Sequence, residues 1–147
     1  MPAIISKELL EDVVRFHGHL GPFLALGVRI GLVGLREIGA KEGDTQLHVT
    51  VILEYTLPFS CILDGIQVST KCTVGNKRLA WKESKEFGAV FLLENSGRQV
   101  EVKVNPSVVR GLSRRLGTKR PLDEEVRRLA SDIASRPEEE LFLVSHK

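Results

Sequence analysis

The chain lacks most of the residue patterns that announce common functions. It has two cysteines in 147 residues, too few for a small disulfide scaffold. A single tryptophan and a single tyrosine offer no aromatic platform for single-stranded nucleic acid. There is no P-loop, no G-x-G-x-x-G, no G-x-S-x-G elbow and no H-E-x-x-H. The longest apolar stretch, Pro22 to Leu35, is short for a membrane span and contains Arg29. The stretch Met1 to Asp12 carries acidic residues and no long apolar run, unlike a secretory signal. The formal net charge of +2 gives no global sign of a nucleic-acid partner. The expected location is therefore the cytoplasm, with no membrane contact and with both thiols reduced, as metal ligands or catalytic groups. Scarce Met, Asn and Gln beside abundant Lys, Arg and Glu fit a heat-adapted source.

What is present suffices for one compact domain spanning residues 1–147. The chain is 42% hydrophobic and 27% charged, ordinary values for a globular protein that buries one core without staples. Ser6 caps a first helix over about Ser6 to Phe16, with Leu9, Val13 and Phe16 on one face. His17-Gly18-His19-Leu20-Gly21-Pro22 breaks it, and Pro22 opens a second helix reaching about Ile38. That helix is apolar on nearly every face and belongs in a core or a subunit interface. Gly27 and Gly31 lie four apart on it and allow another element to approach its backbone.

Alternation predicts a strand over Gln46 to Tyr55, ended by Pro58. A short helix spans Cys61 to Thr70, opening near Ser60. Three strands follow, at Arg78 to Glu83, Ala89 to Glu94 and Arg98 to Val104, the last two joined through Asn95-Ser96-Gly97. Asn105-Pro106-Ser107 starts a helix to about Leu116. Residues 117–147 read as a C-terminal helical extension: a linker from Gly117 to Pro121, a helix capped by Asp123 and running to Ser135, and a terminal strand or arm over Leu141 to Val144. Helices, then meandering strands, then helices, without β-α-β alternation, predict an α+β fold with a mostly antiparallel sheet and an N-terminal helical pair. Arg110, Arg114, Arg115, Lys119 and Arg120 form a local basic cluster, read as a solvated helix end ahead of an anion-binding surface.

Two stretches carry candidate chemistry. In His17-Gly18-His19 the two imidazoles cannot share one face of a regular helix. On a turn, one or both can point into a common site and bind zinc, nickel, copper or iron, or move protons. The alternative is a helix C-cap with a left-handed Gly18. In Cys61 to Cys72, ten residues separate the thiols, unlike a C-x-x-C knuckle. At a helix N-terminus the Cys61 thiol is expected to acidify, and Cys72, next to Lys71, to gain a similar bias. The alternative makes both small buried hydrophobes. Asp64 and Gln67 can orient a histidine or a ligand, or brace the helix. Arg29 needs an anionic partner, by preference a carboxylate of the fold and otherwise a ligand.

Phe16-His17-Gly18-His19-Leu20-Gly21-Pro22, followed by Gly27-Val28-Arg29, resembles the opening signature of the FmdE family, the E component of formylmethanofuran dehydrogenase. Cys61 to Gly75, with Asp64-Gly65-Ile66-Gln67 and Cys72-Thr73-Val74-Gly75, resembles its second signature. Leu79 to Phe91 resembles its strand pair, so the likeness covers roughly residues 10 to 105. The resemblance implies an α+β core that forms intertwined dimers. In some members a zinc ribbon follows the core, and this chain, with no further cysteine cluster, is expected to be of the core-only kind. The resemblance also implies an association with molybdenum or tungsten formylmethanofuran dehydrogenase and a metal at the His and Cys positions. Two positions depart from the pattern. Gly21 stands where the family commonly has cysteine, and Lys71 where it commonly has glycine.

The leading expectation is a homodimeric metal-binding protein. His17, His19, Cys61 and Cys72 are the ligands, Asp64, Gln67 and Arg29 the supports, and zinc the metal ahead of nickel, copper or iron. One alternative is an enzyme using a metal-bound water or a Cys61 thiolate on a one-carbon or pterin-like substrate, with His19 as base. The other is a non-catalytic accessory component of a molybdopterin or tungstopterin oxidoreductase complex.

Overall fold

Ser6 opens the first helix as expected. Its hydroxyl accepts the Leu9 N–H at 3.1 Å, at the head of α1 (Lys7–His17). The computed structural model describes residues 4–117 and 122–147. Lys119 and Arg120 of the basic cluster, and residues 118–121 of the expected linker, lie outside the described residues.

Pro22 starts α2 (Pro22–Ile38), which is buried throughout apart from Leu32, Arg36 and Glu37. Its apolar surface explains that position: it packs on the sheet, on α3 (Cys61–Thr70) and on α5 (Asp123–Ser135). Among the described residues no helix is long and apolar enough to cross a membrane.

Five strands form one sheet: β1 (Leu47–Leu53), β2 (Leu79–Glu83), β3 (Gly88–Leu93), β4 (Arg98–Val104) and β5 (Phe142–His146). Their order is β2-β1-β3-β4-β5. Val49 faces Phe91 across β1 and β3, Phe91 faces Val100 across β3 and β4, and Val102 faces Val144 across β4 and β5, all antiparallel. The fold is α+β, and β1 alternates buried with half-buried residues, as a strand with one face on the core must.

One expectation is corrected. β1 and β2 run parallel, with Val49 opposite Leu79 and Val51 opposite Trp81. The chain therefore contains one β-α-β unit where a meander was expected. The physical reason is the intervening α3: a parallel pair needs a long crossover, and a helix packed on the sheet supplies it.

The glycine spacing on α2 has a use. A Cβ on Gly27 would overlap the Ile62 carbonyl, and one on Gly65 of α3 would overlap the Leu24 carbonyl. The two helices thus cross backbone to backbone, and this crossing fixes how α3 sits against α2.

The stretch expected as a C-terminal extension is woven into the domain. After α4 (Pro106–Leu116), α5 lies along α2, and α6 (Glu138–Leu141) leads into β5, which pairs with β4. Asp123 is the first helical residue, and Leu122 holds the cap position without a side-chain bond. Arg29 also departs from expectation. Its guanidinium donates to the Ile133 carbonyl at 3.0 Å and to the Arg136 carbonyl, not to a carboxylate. The last carbonyls of a helix lack intrahelical donors and sit at its negative end, so they can satisfy a buried cation. Burial pushes the Arg29 pKa down, and Glu138 and Glu139 oppose that shift. Beside it, Arg36 grips Glu138 through two bonds of 2.8 and 2.6 Å, and Glu37 meets His146 at 3.0 Å.

Candidate functional site

The His-Gly-His segment is a helix cap and a convergent pair at once. His17 is the last residue of α1, and Gly18 follows in the left-handed region at φ 106°, its N–H donating to the Val14 carbonyl at 2.7 Å. That turn folds His19 back so that the two imidazole centroids are 4.8 Å apart, tilted by 42°. His17 is half-buried and His19 exposed.

Nδ1 of His17 lies 2.6 Å from Oδ2 of Asp64, which sits in the first turn of α3. Gln67 donates from Nε2 to the other Asp64 oxygen at 3.3 Å and accepts the Val74 N–H at 3.0 Å. Gln67 thereby joins the acid to the loop after α3. Asn76 holds that loop, accepting the Thr73 and Arg78 N–H groups and donating to the Lys71 carbonyl. Nε2 of His17 is buried and meets no hydrogen-bond partner. A carboxylate on one ring nitrogen fixes tautomer and orientation and leaves the other nitrogen as a donor pair.

This dyad borders a cleft of about 310 Å³ that Cys61 and Ser60 also line. Cys61 opens α3, yet its thiol is pushed up by burial and then by the Asp64 charge, against which its own backbone hydrogen bond works. The acidified thiolate expected at a helix end is not what this environment produces. Partial desolvation and the Asp64 carboxylate outweigh the helix terminus.

Cys72 is placed elsewhere. It is 1% exposed, belongs to the main hydrophobic core, and its S–H points at the Leu47 carbonyl at 3.4 Å. Burial pushes its thiol up, over the opposing influence of Thr70 and Arg78. Lys71 does not acidify it. Lys71 instead forms the C-cap of α3 at φ 65°, a left-handed position that suits glycine. Arg29 lies at the α5 end, away from the cleft lining. Among the described residues no three His, Cys, Asp or Glu side chains converge to hold a metal ion. The structure thus brings His17, His19, Asp64 and Gln67 together and sets Cys61 on the same cleft. Cys72 and Arg29 stand apart from it.

Gly21 has an extended φ of −135°, open to any residue. A Cβ there would lie 3.7 Å from His19 Nε2 and 3.7 Å from Val126 Cγ1. A cysteine at this position would set its thiol beside His19. With glycine, that donor is missing.

Sequence reasoning missed Tyr55 and Trp81. Their rings stack at 5.2 Å and 26°, and both line the cleft. The signal was available only through the parallel register of β1 and β2, which carries Trp81 alongside the end of β1.

Fold and site together define a small α+β domain with a partly polar cleft at a helix end and a carboxylate-braced histidine on its rim. The chain is a member of the FmdE family (FmdE, molybdenum formylmethanofuran dehydrogenase operon), whose pattern matches residues 16–143. It is 33% identical over 103 residues to a probable S-adenosyl-L-methionine-binding protein of Archaeoglobus fulgidus, covering 70% of this chain and 28% of that protein. The chain thus spans under a third of that relative's length. In structure it resembles a tungsten formylmethanofuran dehydrogenase FmdE-like protein from Syntrophus aciditrophicus, with a TM-score of 0.53 and 22% identity, covering 96% of this chain and 71% of the other. At that identity the likeness is one of fold.

Proposed function

We propose that this FmdE-family domain binds a transition metal, zinc first, through the imidazoles of the His17-Gly18-His19 turn. The observation that carries the reading is the His17 ring: Nδ1 is fixed by Asp64 at 2.6 Å, while Nε2 is buried without a partner. An unpaired buried nitrogen costs free energy unless something else completes it. His19 supplies a second imidazole next to it, and Cys61 a thiol on the same cleft. Mixed nitrogen and sulfur donors favour zinc over hard cations, with nickel, copper and iron as competitors. The described residues of one chain offer too few convergent donors to close a tetrahedral site, and the position that would add a thiol beside His19 is Gly21. The remaining ligands then come from solvent, a small molecule or the second copy in a homodimer. Burial and then the Asp64 charge push the Cys61 thiol up, which disfavours it as a free thiolate nucleophile.

The test is a zinc titration of tag-free protein by calorimetry, with the metal content measured after dialysis. The expected result is stoichiometric zinc on the wild type and affinity lowered by about 10- to 100-fold in Asp64→Asn, as for loss of a ligand-orienting carboxylate. His17→Ala should lose more, and Cys72→Ser should match the wild type. Equal retention by wild type and His17→Ala would overturn the reading.

A further inference from the structure

The only tryptophan and the only tyrosine of the chain come from separate segments, yet stack on each other at the mouth of one cleft. Tyr55 remains 49% exposed and Trp81 39% exposed. Large aromatic faces left half in water beside a concave, partly polar pocket are a usual setting for ligand capture. Three features of the lining narrow the ligand.

The cleft, at about 310 Å³, is at the small end of ligand-binding sites and suits a bicyclic ring. Its polar wall is Asp64, whose carboxylate has taken His17 on one oxygen and Gln67 on the other. A carboxylate offers about four acceptor positions, so capacity remains for the N–H edge of a ligand. Finally, among the described residues Asp64 is the one carboxylate of the lining, and no Lys or Arg borders it. A phosphate would find no Lys or Arg in that lining, the one imidazole there, His17, is already engaged by Asp64, and the carboxylate is a like charge.

We infer that the cleft binds a flat nitrogen heteroaromatic, neutral or cationic, as a base or nucleoside rather than a nucleotide. The ring stacks on the Tyr55–Trp81 pair and its amino edge donates to Asp64. This goes beyond the metal reading and does not depend on it, because the stack and the Asp64 edge need no ion.

Trp81 is also its own reporter. Chelator-treated protein of this sequence is titrated with adenosine, exciting Trp81 above the adenosine absorption band. Saturable quenching is expected, with ribose inert and adenosine monophosphate weaker by about tenfold or more, since its phosphate would meet the Asp64 carboxylate and no Lys or Arg in the lining. Tyr55→Leu keeps the reporter and should weaken binding by about tenfold. Asp64→Asn should narrow the gap between adenosine and its monophosphate. Trp81→Phe, followed by calorimetry, checks that quenching reports binding: it should retain measurable heat. Absence of saturable quenching, or equal affinity for the monophosphate, would overturn the inference. So would a Trp81 emission that shifts with protein concentration and ignores adenosine, since a second copy would then cover the rings. Zinc binding lost with quenching intact removes the metal reading alone, and the reverse removes this one alone.

Discussion

The two ends of α2 treat charge in opposite ways. At its C-terminal end, Arg36 is clasped by Glu138 and Glu37 by His146, so charges from α2, α6 and β5 are matched within the chain. At its N-terminal end, His17 is braced by Asp64, and its second nitrogen is left buried and unmatched beside an open cleft. The first arrangement closes the domain, tying the last strand to the central helix. The second uses one hydrogen bond for orientation and keeps a donor atom in reserve. Mid-helix Arg29 belongs with the closed end: its terminal nitrogen is used on the Ile133 and Arg136 carbonyls, although its Nε has no partner.

The largest measurable contrast should be between the two thiols, one on the cleft and one in the core. Cys61 is half-buried and Cys72 fully buried. Alkylation of native protein at pH 8 should modify Cys61 in preference, with Cys72 slower by roughly a thousandfold or more, since its exposure requires near-global opening. Comparable rates at both sites, followed by mass spectrometry, would contradict the core placement of Cys72.

Next in size is the helix crossing that positions Asp64. Gly27→Ala adds a methyl where α2 meets the Ile62 carbonyl. Urea denaturation should show a loss of about 3 kcal/mol, the upper range for overpacking against backbone. The same substitution should weaken zinc binding by moving Asp64 off His17. Gly111→Ala, at a helical glycine with open space around it, is the control and should cost nothing.

Acid should act first on the closed end. The Arg36 hydrogen bond holds the Glu138 carboxyl below its ordinary value of 4.5, and His146, then Arg36, do the same for Glu37. A carboxyl with a depressed folded pKa binds its proton less readily in the native state. Its stabilisation is therefore present above the ordinary value of 4.5 and fades as pH falls through the lower folded values. Denaturation midpoints measured from neutral pH down to about pH 3 should drop in the wild type. Glu138→Gln should start about 1 kcal/mol lower, the range for a partly exposed bidentate pair, and then fall less steeply. Parallel slopes would show that this pair does not set the acid sensitivity.

The smallest effect is expected in the loop beside the cleft. Lys71 occupies a left-handed C-cap at φ 65°. Lys71→Gly relieves that strain while adding backbone freedom to the unfolded chain, for a net gain of about 0.5 kcal/mol. A loss of stability on thermal melting would mean that the lysine side chain makes a favourable contribution there.

Local signals carried much of the fold. Ser6, Gly18 and Pro22 marked the first helical boundaries, and the apolar surface of Pro22 to Ile38 announced a buried helix, because caps and periodicity act within a few residues. The sequence offered Asp64 as a group that orients a histidine, but local preference could not decide whether it or Gln67 does so, or which histidine it meets 47 positions away. Cys72 looked equivalent to Cys61 until the core closed over it. Arg29 was legible as a buried cation, but its partners were backbone carbonyls at the end of α5, which no side-chain pattern reveals.

The sequence by itself determined most of the elements and the family, since each follows from residue order and local preference. Tertiary structure alone decided that β1 and β2 run parallel, that the one Trp meets the one Tyr, and that of two similar cysteines one faces the cleft and the other the core. Those outcomes rest on contacts between segments far apart in the chain, of which the α2–α3 crossing at Gly27 and Gly65, where the lack of a side chain lets two backbones touch, is one, and local preference does not encode them.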